Sequence, residues 1–192
     1  MVKIKVEHRQ YKDGVKGLME RIAGIQKRHI YVGIPQDTSS RKDGEINNAE
    51  LLYIHTHGIR RASMIREMEG NLAAGMKYSK AYELYIQSHG SPLWQSPPRP
   101  VIEPALEANK EKISAQFKQI YKAAAEGDGP GMDRAIDRTG LAAQNIVRGW
   151  FTDPRNNWAP NSPKTIKRKG SDRPLIDTGS LRKAITYVVR SD

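Results

Sequence analysis

Hydrophobic and polar positions along this chain change period several times, and each change predicts an element. Val2, Ile4 and Val6 alternate with Lys3, Lys5 and Glu7, the period-two pattern of a half-buried strand. Asp13-Gly14 is expected to break it. Val15, Leu18, Met19, Ile22 and Ile25 then recur at helical spacing, which predicts an amphipathic helix over 14–27. Ile30 to Ile34 (IYVGI) reads as a second strand stopped by Pro35, followed by a polar loop over 36–44. Asn47 or Asn48 can cap a helix to about Thr56, with Ile46, Ala49, Leu52 and Tyr53 on one side and Gly58 ending it.

Residues 59–90 predict one or two helices, with Leu72, Met76 and Ile86 spaced too widely for a continuous stripe. Four prolines between Ser91 and Pro100 (SPLWQSPPRP) predict extended, irregular chain, because each removes a donor and fixes φ. Pro104 suits the first turn of a long helix to about Glu126, with Leu106, Ile113, Phe117, Ile120 and Ala124 as its apolar stripe. Gly127 to Gly131 (GDGPG) is a break. A helix from Asp133 follows, its buried face Ile136, Ala143, Ile146, Val147 and Trp150, ended by Asp153-Pro154. Two helices joined by so short a link should pack as a pair. The last strand, Ala184 to Val189, is β-branched and aromatic and should pair with the N-terminal strands.

These elements predict an α+β fold. A small antiparallel sheet of N- and C-terminal strands packs on two or three long helices, in one domain over 1–192. Residues 59–96 form a helical or loop insertion, or an extended arm.

Charge adds a direction. The 192 residues carry a formal net charge of +11. Residues 1–30 hold eight Lys or Arg against three acids, and 163–190 hold eight against two, so the basic surface belongs to the two ends. Such a patch attracts nucleic acid or an acidic protein partner. The chain has no Cys, which excludes disulfides and thiolate metal sites. The segment MVKIKVEHRQ lacks the apolar core of a signal peptide, and no apolar run reaches membrane-spanning length.

Candidate chemistry concentrates between Trp158 and Arg190, WAPNSPKTIKRKGSDRPLIDTGSLRKAITYVVR. A loop punctuated by Pro and Ser leads into the basic run Lys164 to Lys169. Lys164, Lys167, Arg168, Lys169 and Arg173 can neutralise phosphates without reading bases, or meet an acidic protein. No recognition helix, zinc finger or stacking platform accompanies them, which argues against sequence-specific DNA binding. Asp177-Thr178-Gly179 matches the aspartic-protease tripeptide, whose chemistry needs two carboxylates sharing a proton. No second copy is present, and only thirteen residues follow Gly179, too few for the sheet and flap of a dimeric protease. The simpler reading is a structural cap, in which Asp177 or Thr178 starts a short helix through Lys183. His55, His57 and His89 lack the convergent spacing of a zinc site. No nucleophile elbow, phosphate loop or dinucleotide fingerprint occurs.

Four segments, in this order, carry a resemblance: AELLYIHTHG (49–58), PPRPVIEPALEANKEKI (97–113), the helix over 133–150, and NWAPNSPKTIKRKGSDRPLIDTGSLRKAITYVV (157–189). Together they resemble the neck or tail-completion proteins of tailed bacteriophages, the head-tail joining class. The most specific part is Pro174 to Leu181, similar to that family's Pro-Leu-x-Asp-Thr-Gly-x-Leu ending before an apolar strand. The chain departs from it in carrying His55-Thr56-His57-Gly58 where the family often has Asn-Glu-Phe-Gly, and in residues 59–90.

The resemblance implies a structural virion protein of the neck or collar, assembled in the host cytoplasm, with no catalysis, cofactor or metal. It implies a homo-oligomeric ring, six- or twelve-fold, between the portal or connector and the tail terminator or tail tube. It also implies non-specific contact with packaged DNA and no contact with membranes. Under it, Trp94, Pro97, Pro98, Arg99 and Pro100 become candidate intersubunit contacts, and the basic run faces the DNA channel or a neighbouring ring. The alternative reading is a free basic protein that binds nucleic acid without sequence preference.

Overall fold

A computed structural model describes residues 9–40, 46–89 and 94–191. In chain order the elements are α1 (Arg9–Gln26), β1 (Arg28–Gly33), α2 (Asn48–His57), β2 (Ile59–Arg60), α3 (Ala62–Ala73), α4 (Tyr78–His89), β3 (Trp94–Ser96), α5 (Ile102–Glu107), α6 (Lys110–Glu126), α7 (Gly129–Trp150), α8 (Pro163–Lys169), α9 (Ser180–Ala184) and β4 (Thr186–Ser191). The fold is α+β. The strand expected over Val2–Val6 lies outside the described residues. No helix among the described residues is long and apolar enough to cross a membrane.

Two compact units divide the chain. One comprises Met1–Pro35, Ile102–Trp150 and Ile185–Asp192; the other comprises Gln36–Val101 and Phe151–Ala184.

In the first unit, β1 and β4 form an antiparallel pair with Ile30 opposite Val189 and Val32 opposite Tyr187. Strands from near the two ends of the chain thus meet in one small sheet, packed on helices. Its core holds Ile25, Ile120, Ala124, Ala135 and Ile136, with Ile30, Met132 and Val189 against them. Burying each of the isoleucine side chains contributes roughly 1.5–3 kcal/mol. Polar bonds fix the register of the layers: Arg21 Nε donates to the Ala124 carbonyl at 2.7 Å, and Arg148 Nε to that of Ile185 at 2.8 Å.

Helix α1 runs through Asp13 and Gly14 instead of starting there. A helical glycine costs only about 1 kcal/mol, which continuous backbone hydrogen bonding overrides. Within the predicted stripe Ile25 is buried, but Val15 and Met19 are exposed. The single helix expected from Pro104 to Glu126 is two, α5 and α6. Asn109 breaks it, leaving helical geometry at φ −126° and donating its side-chain amide to the Ala105 carbonyl at 2.9 Å. Phe117, assigned to the stripe, is 39% exposed, whereas Ile120 and Ala124 are buried. Gly127, in left-handed geometry, ends α6, and α7 begins at Gly129, four residues before the expected Asp133. Helices α6 and α7 pack together as the short link requires.

One glycine in this unit is a packing position. A Cβ at Gly140 on α7 would lie within 2.8 Å of three ring carbons of Tyr187 on β4. Gly140→Ala is therefore expected to lose about 2 kcal/mol in urea unfolding, because overpacking outweighs the gain in helix propensity. Combining it with Tyr187→Ala should cost less than the sum of the two single changes. Strict additivity would show that the ring simply moves aside.

In the second unit, Asn47 caps α2 through a reciprocal box. Its Oδ1 accepts from the Glu50 amide at 2.9 Å, and the Glu50 carboxylate accepts from the Asn47 amide at 3.0 Å. Of the apolar residues expected on one side of α2, Leu52 is buried, while Ile46 and Tyr53 are exposed.

The chain after Gly58 forms β2, then the α3 and α4 pair. Their core is Met64, Met68, Ala81 and Tyr85, with Leu72, Met76 and Ile86 packed at its border. The stripe that looked discontinuous is completed by methionines, which adapt to irregular gaps. Strand β3 pairs antiparallel with β2, so Trp94–Ser96 is regular structure where irregular chain was expected. The prolines flank the paired residues: Pro92 precedes them in sequence, and Pro97, Pro98 and Pro100 follow. The Arg60 guanidinium lies over the rings of Tyr82, at 4.0 Å, and Trp94, at 4.6 Å, tying α4 to the ladder.

Candidate functional site

The site is built from three stretches of the second unit that are distant in sequence. The first is the end of α2 and the start of β2. The second is the Trp94–Val101 segment. The third runs from Phe151 through α9.

Arg99 links them. It is 6% exposed. Its backbone amide donates to the His55 carbonyl at 2.7 Å. Its guanidinium donates from Nε and Nη2 to the Ala159 carbonyl at 3.1 and 2.8 Å, and from Nη2 to that of Pro160 at 3.2 Å. Burial lowers the Arg99 pKa from its ordinary value, yet a guanidinium remains charged. Alongside it, the Trp158 indole donates to the Pro100 carbonyl at 3.1 Å and meets Phe151 edge-on at 5.9 Å.

Sequence alone gives the basic run Lys164 to Lys169 no regular element of its own. It is instead helix α8. The Ser162 hydroxyl accepts from the Thr165 amide at 3.3 Å, Pro163 occupies the first turn, and Gly170 ends the helix in left-handed geometry. These are ordinary start and stop signals that the density of charge obscured.

The helix divides the predicted cations. Arg168 and Lys169 line a cleft of about 610 Å³, together with Arg61, Arg99, Trp94 and the Asp177–Ser180 turn. Lys164 and Lys167 are exposed and outside that lining. Arg173 is also exposed and outside it, and its carbonyl accepts from Lys169 Nζ at 2.9 Å. The intersubunit candidates divide in the same way. Pro98 and Pro100 are exposed, Trp94 and Pro97 are half-buried, and Arg99 is committed to carbonyls of its own chain.

The Asp-Thr-Gly turn is a helix start. The Thr178 hydroxyl accepts from the Ser180 amide at 3.3 Å, Gly179 adopts φ 78°, and α9 follows with Leu181 buried. Helix α9 packs on α2. Leu175, just before the turn, holds a left-handed φ of 57°, rare for a branched residue and costing about 1 kcal/mol or more.

Asp177 is exposed and is, among the described residues, the sole carboxylate in the cleft lining, against Arg61, Arg99, Arg168 and Lys169. The two-carboxylate arrangement of an aspartic protease is not assembled there. Burial lowers the Lys169 pKa; Asp177 opposes that shift, and Arg99 and Arg168 add to it. The cleft is thus a concave, cation-rich surface with apolar contributions from Leu51, Ile59 and Trp94.

The histidines do not converge. His57 Nδ1 is paired with the Tyr53 carbonyl at 2.8 Å, and His89 Nε2 lies 2.9 Å from the Glu67 carboxylate. Among the described residues no three His, Asp or Glu side chains form a metal-ligand group.

Arg61 was not singled out from sequence. It follows a two-residue strand, and only the pairing of β2 with β3 carries it to the cleft, where its Nε donates to the Trp94 carbonyl at 3.2 Å. No protein-family model, no curated protein and no solved structure matches this chain.

Proposed function

We propose that this chain is a structural subunit of a tailed-phage neck, a ring protein that joins the portal or connector to the tail terminator or tail tube. The observation that carries the reading is the meeting of three of the four resemblance blocks around Arg99. The His55 carbonyl belongs to the 49–58 block, Arg99 and Pro100 to the 97–113 block, and Ala159 and Pro160 to the 157–189 block, all bonded within one unit.

Exposed apolar side chains supply the second support. Tyr53, Ile59, Ile65 and Tyr78 of the second unit are each at least 40% exposed. Assembly among copies would cover such surface, and a heterologous contact whose rotation closes generates a ring. Pro98 and Pro100 remain the outward-facing members of the proline segment.

Native mass spectrometry of the purified chain tests the reading. The expected result is a closed hexamer or dodecamer. A monomer at every accessible concentration, together with no binding to portal or tail-tube proteins, would overturn it.

A further inference from the structure

The cleft that Arg168 and Lys169 line admits a sharper statement than a diffuse basic patch. We propose that it seats an extended acidic segment of a neighbouring virion protein, with carboxylates held by Arg61, Arg168 and Lys169 and apolar side chains against Leu51, Ile59 and Trp94. That the neighbour is a virion protein rests on the neck reading; the chemistry of the segment rests on the cleft alone.

Charge complementarity argues for an anion. Among the described residues, four cations share the lining with Asp177 as its lone carboxylate, and burial already disfavours the charged form of Lys169. A bound carboxylate relieves that imbalance and forms charge-assisted bonds with the guanidinium forks.

Shape argues for a peptide over duplex DNA. The space is concave and about 610 Å³, within the range of cavities that enclose a small ligand or a few residues. A duplex is a stiff rod with phosphates on its convex outside, so it meets protruding cations, and the exposed Lys164 and Lys167 are those. Apolar lining argues the same way, since an extended peptide alternates side-chain chemistry along its length while a phosphodiester backbone offers nothing to Leu51 or Ile59.

Two double variants separate these ideas at equal charge. Arg61→Ala with Arg168→Ala removes two exposed cations from the cleft, and Lys164→Ala with Lys167→Ala removes two exposed cations outside it. Fluorescence anisotropy would follow a labelled short peptide of alternating glutamate and valine, a lysine–valine counterpart, and a labelled duplex. Unfolding midpoints equal to that of the parent chain would verify that both variants fold.

The expected result is binding of the acidic peptide alone among the two peptides. That binding weakens ~10-fold or more in the cleft variant and less than ~2-fold in the outer variant. Equal weakening in both variants would overturn the proposal in favour of diffuse attraction. Duplex binding that displaces the acidic peptide and is lost in the cleft variant alone would overturn it in favour of DNA. Ring formation is read separately by native mass. A chain that forms rings but ignores the acidic peptide sinks the cleft proposal and leaves the neck reading standing. A chain that stays monomeric yet binds the peptide as expected does the reverse.

Discussion

Gly58→Ala is expected to lower the stability of the second unit by about 4 kcal/mol. Two costs combine. Gly58 sits at φ 74° and ψ 173°, a region that L-residues with a Cβ avoid. A Cβ there would also lie 2.7 Å from the Pro98 nitrogen, 2.8 Å from the Ser96 carbonyl oxygen and 2.9 Å from the Trp94 ring. Two of those neighbours are backbone, which cannot swing away as a flexible side chain does. Relief requires β2 and β3 to separate, and that motion strains the bond from the Arg99 amide to the His55 carbonyl.

Gly75→Ala supplies the comparison. Gly75 has φ 82° but open space around it, so it carries the backbone cost without the overlap. Its expected loss is about 1 kcal/mol. Urea unfolding of both variants measures the difference. Losses within about 0.5 kcal/mol of each other would show that the close approach of the Trp94–Pro98 segment to Gly58 carries no energy.

Arg99→Met is expected to cost about 3 kcal/mol and to lower Tm by about 6–12 °C. Methionine preserves much of the aliphatic volume. It leaves the Ala159 and Pro160 carbonyls without the guanidinium that now donates to both. Arg99→Lys should recover only part of the loss, because one ammonium cannot reproduce a planar fork. Hydrogen exchange localises the effect: α8 and α9 should lose protection, while α6 and α7, in the other unit, should not. A uniform loss across both units would show that Arg99 is not a local linchpin of the three stretches.

Both predictions concern residues whose importance was only half visible in the chain. Gly58 read correctly as a helix stop, but its contact with the strand before Pro98 needed the β2–β3 pairing. Arg99 read as one charge in a proline-rich segment, and nothing local marked it as buried. Its acceptors lie sixty residues away. The cap at Asn47, the stop at Gly58, the strand at Ile30 and the heptad-like face of α7 were legible because each depends on neighbours within a turn or two. The same holds for the reading of Asp177-Thr178-Gly179 as a helix start.

Errors have the same origin. Asn109 breaks a helix whose apolar spacing continues across it, because its side chain bonds the Ala105 carbonyl instead of extending the spiral. The run Lys164 to Lys169 is a helix because Ser162, Pro163 and Gly170 delimit it, signals independent of its charge. Met64 and Met68 are fully or almost fully buried, yet sequence spacing pointed to Leu72 and Ile86.

The amino-acid sequence by itself determined the cap of α2 at Asn47 and its stop at Gly58, the pairing of a C-terminal strand with an N-terminal one in an α+β fold, and the excess of positive charge near both ends. Those follow from short-range sterics, backbone hydrogen bonding and composition. Tertiary structure alone decided which cations share a cleft, that Arg61 joins them, and that Arg99 turns inward. Such outcomes depend on bringing together residues far apart in the chain, and no local period records that distance.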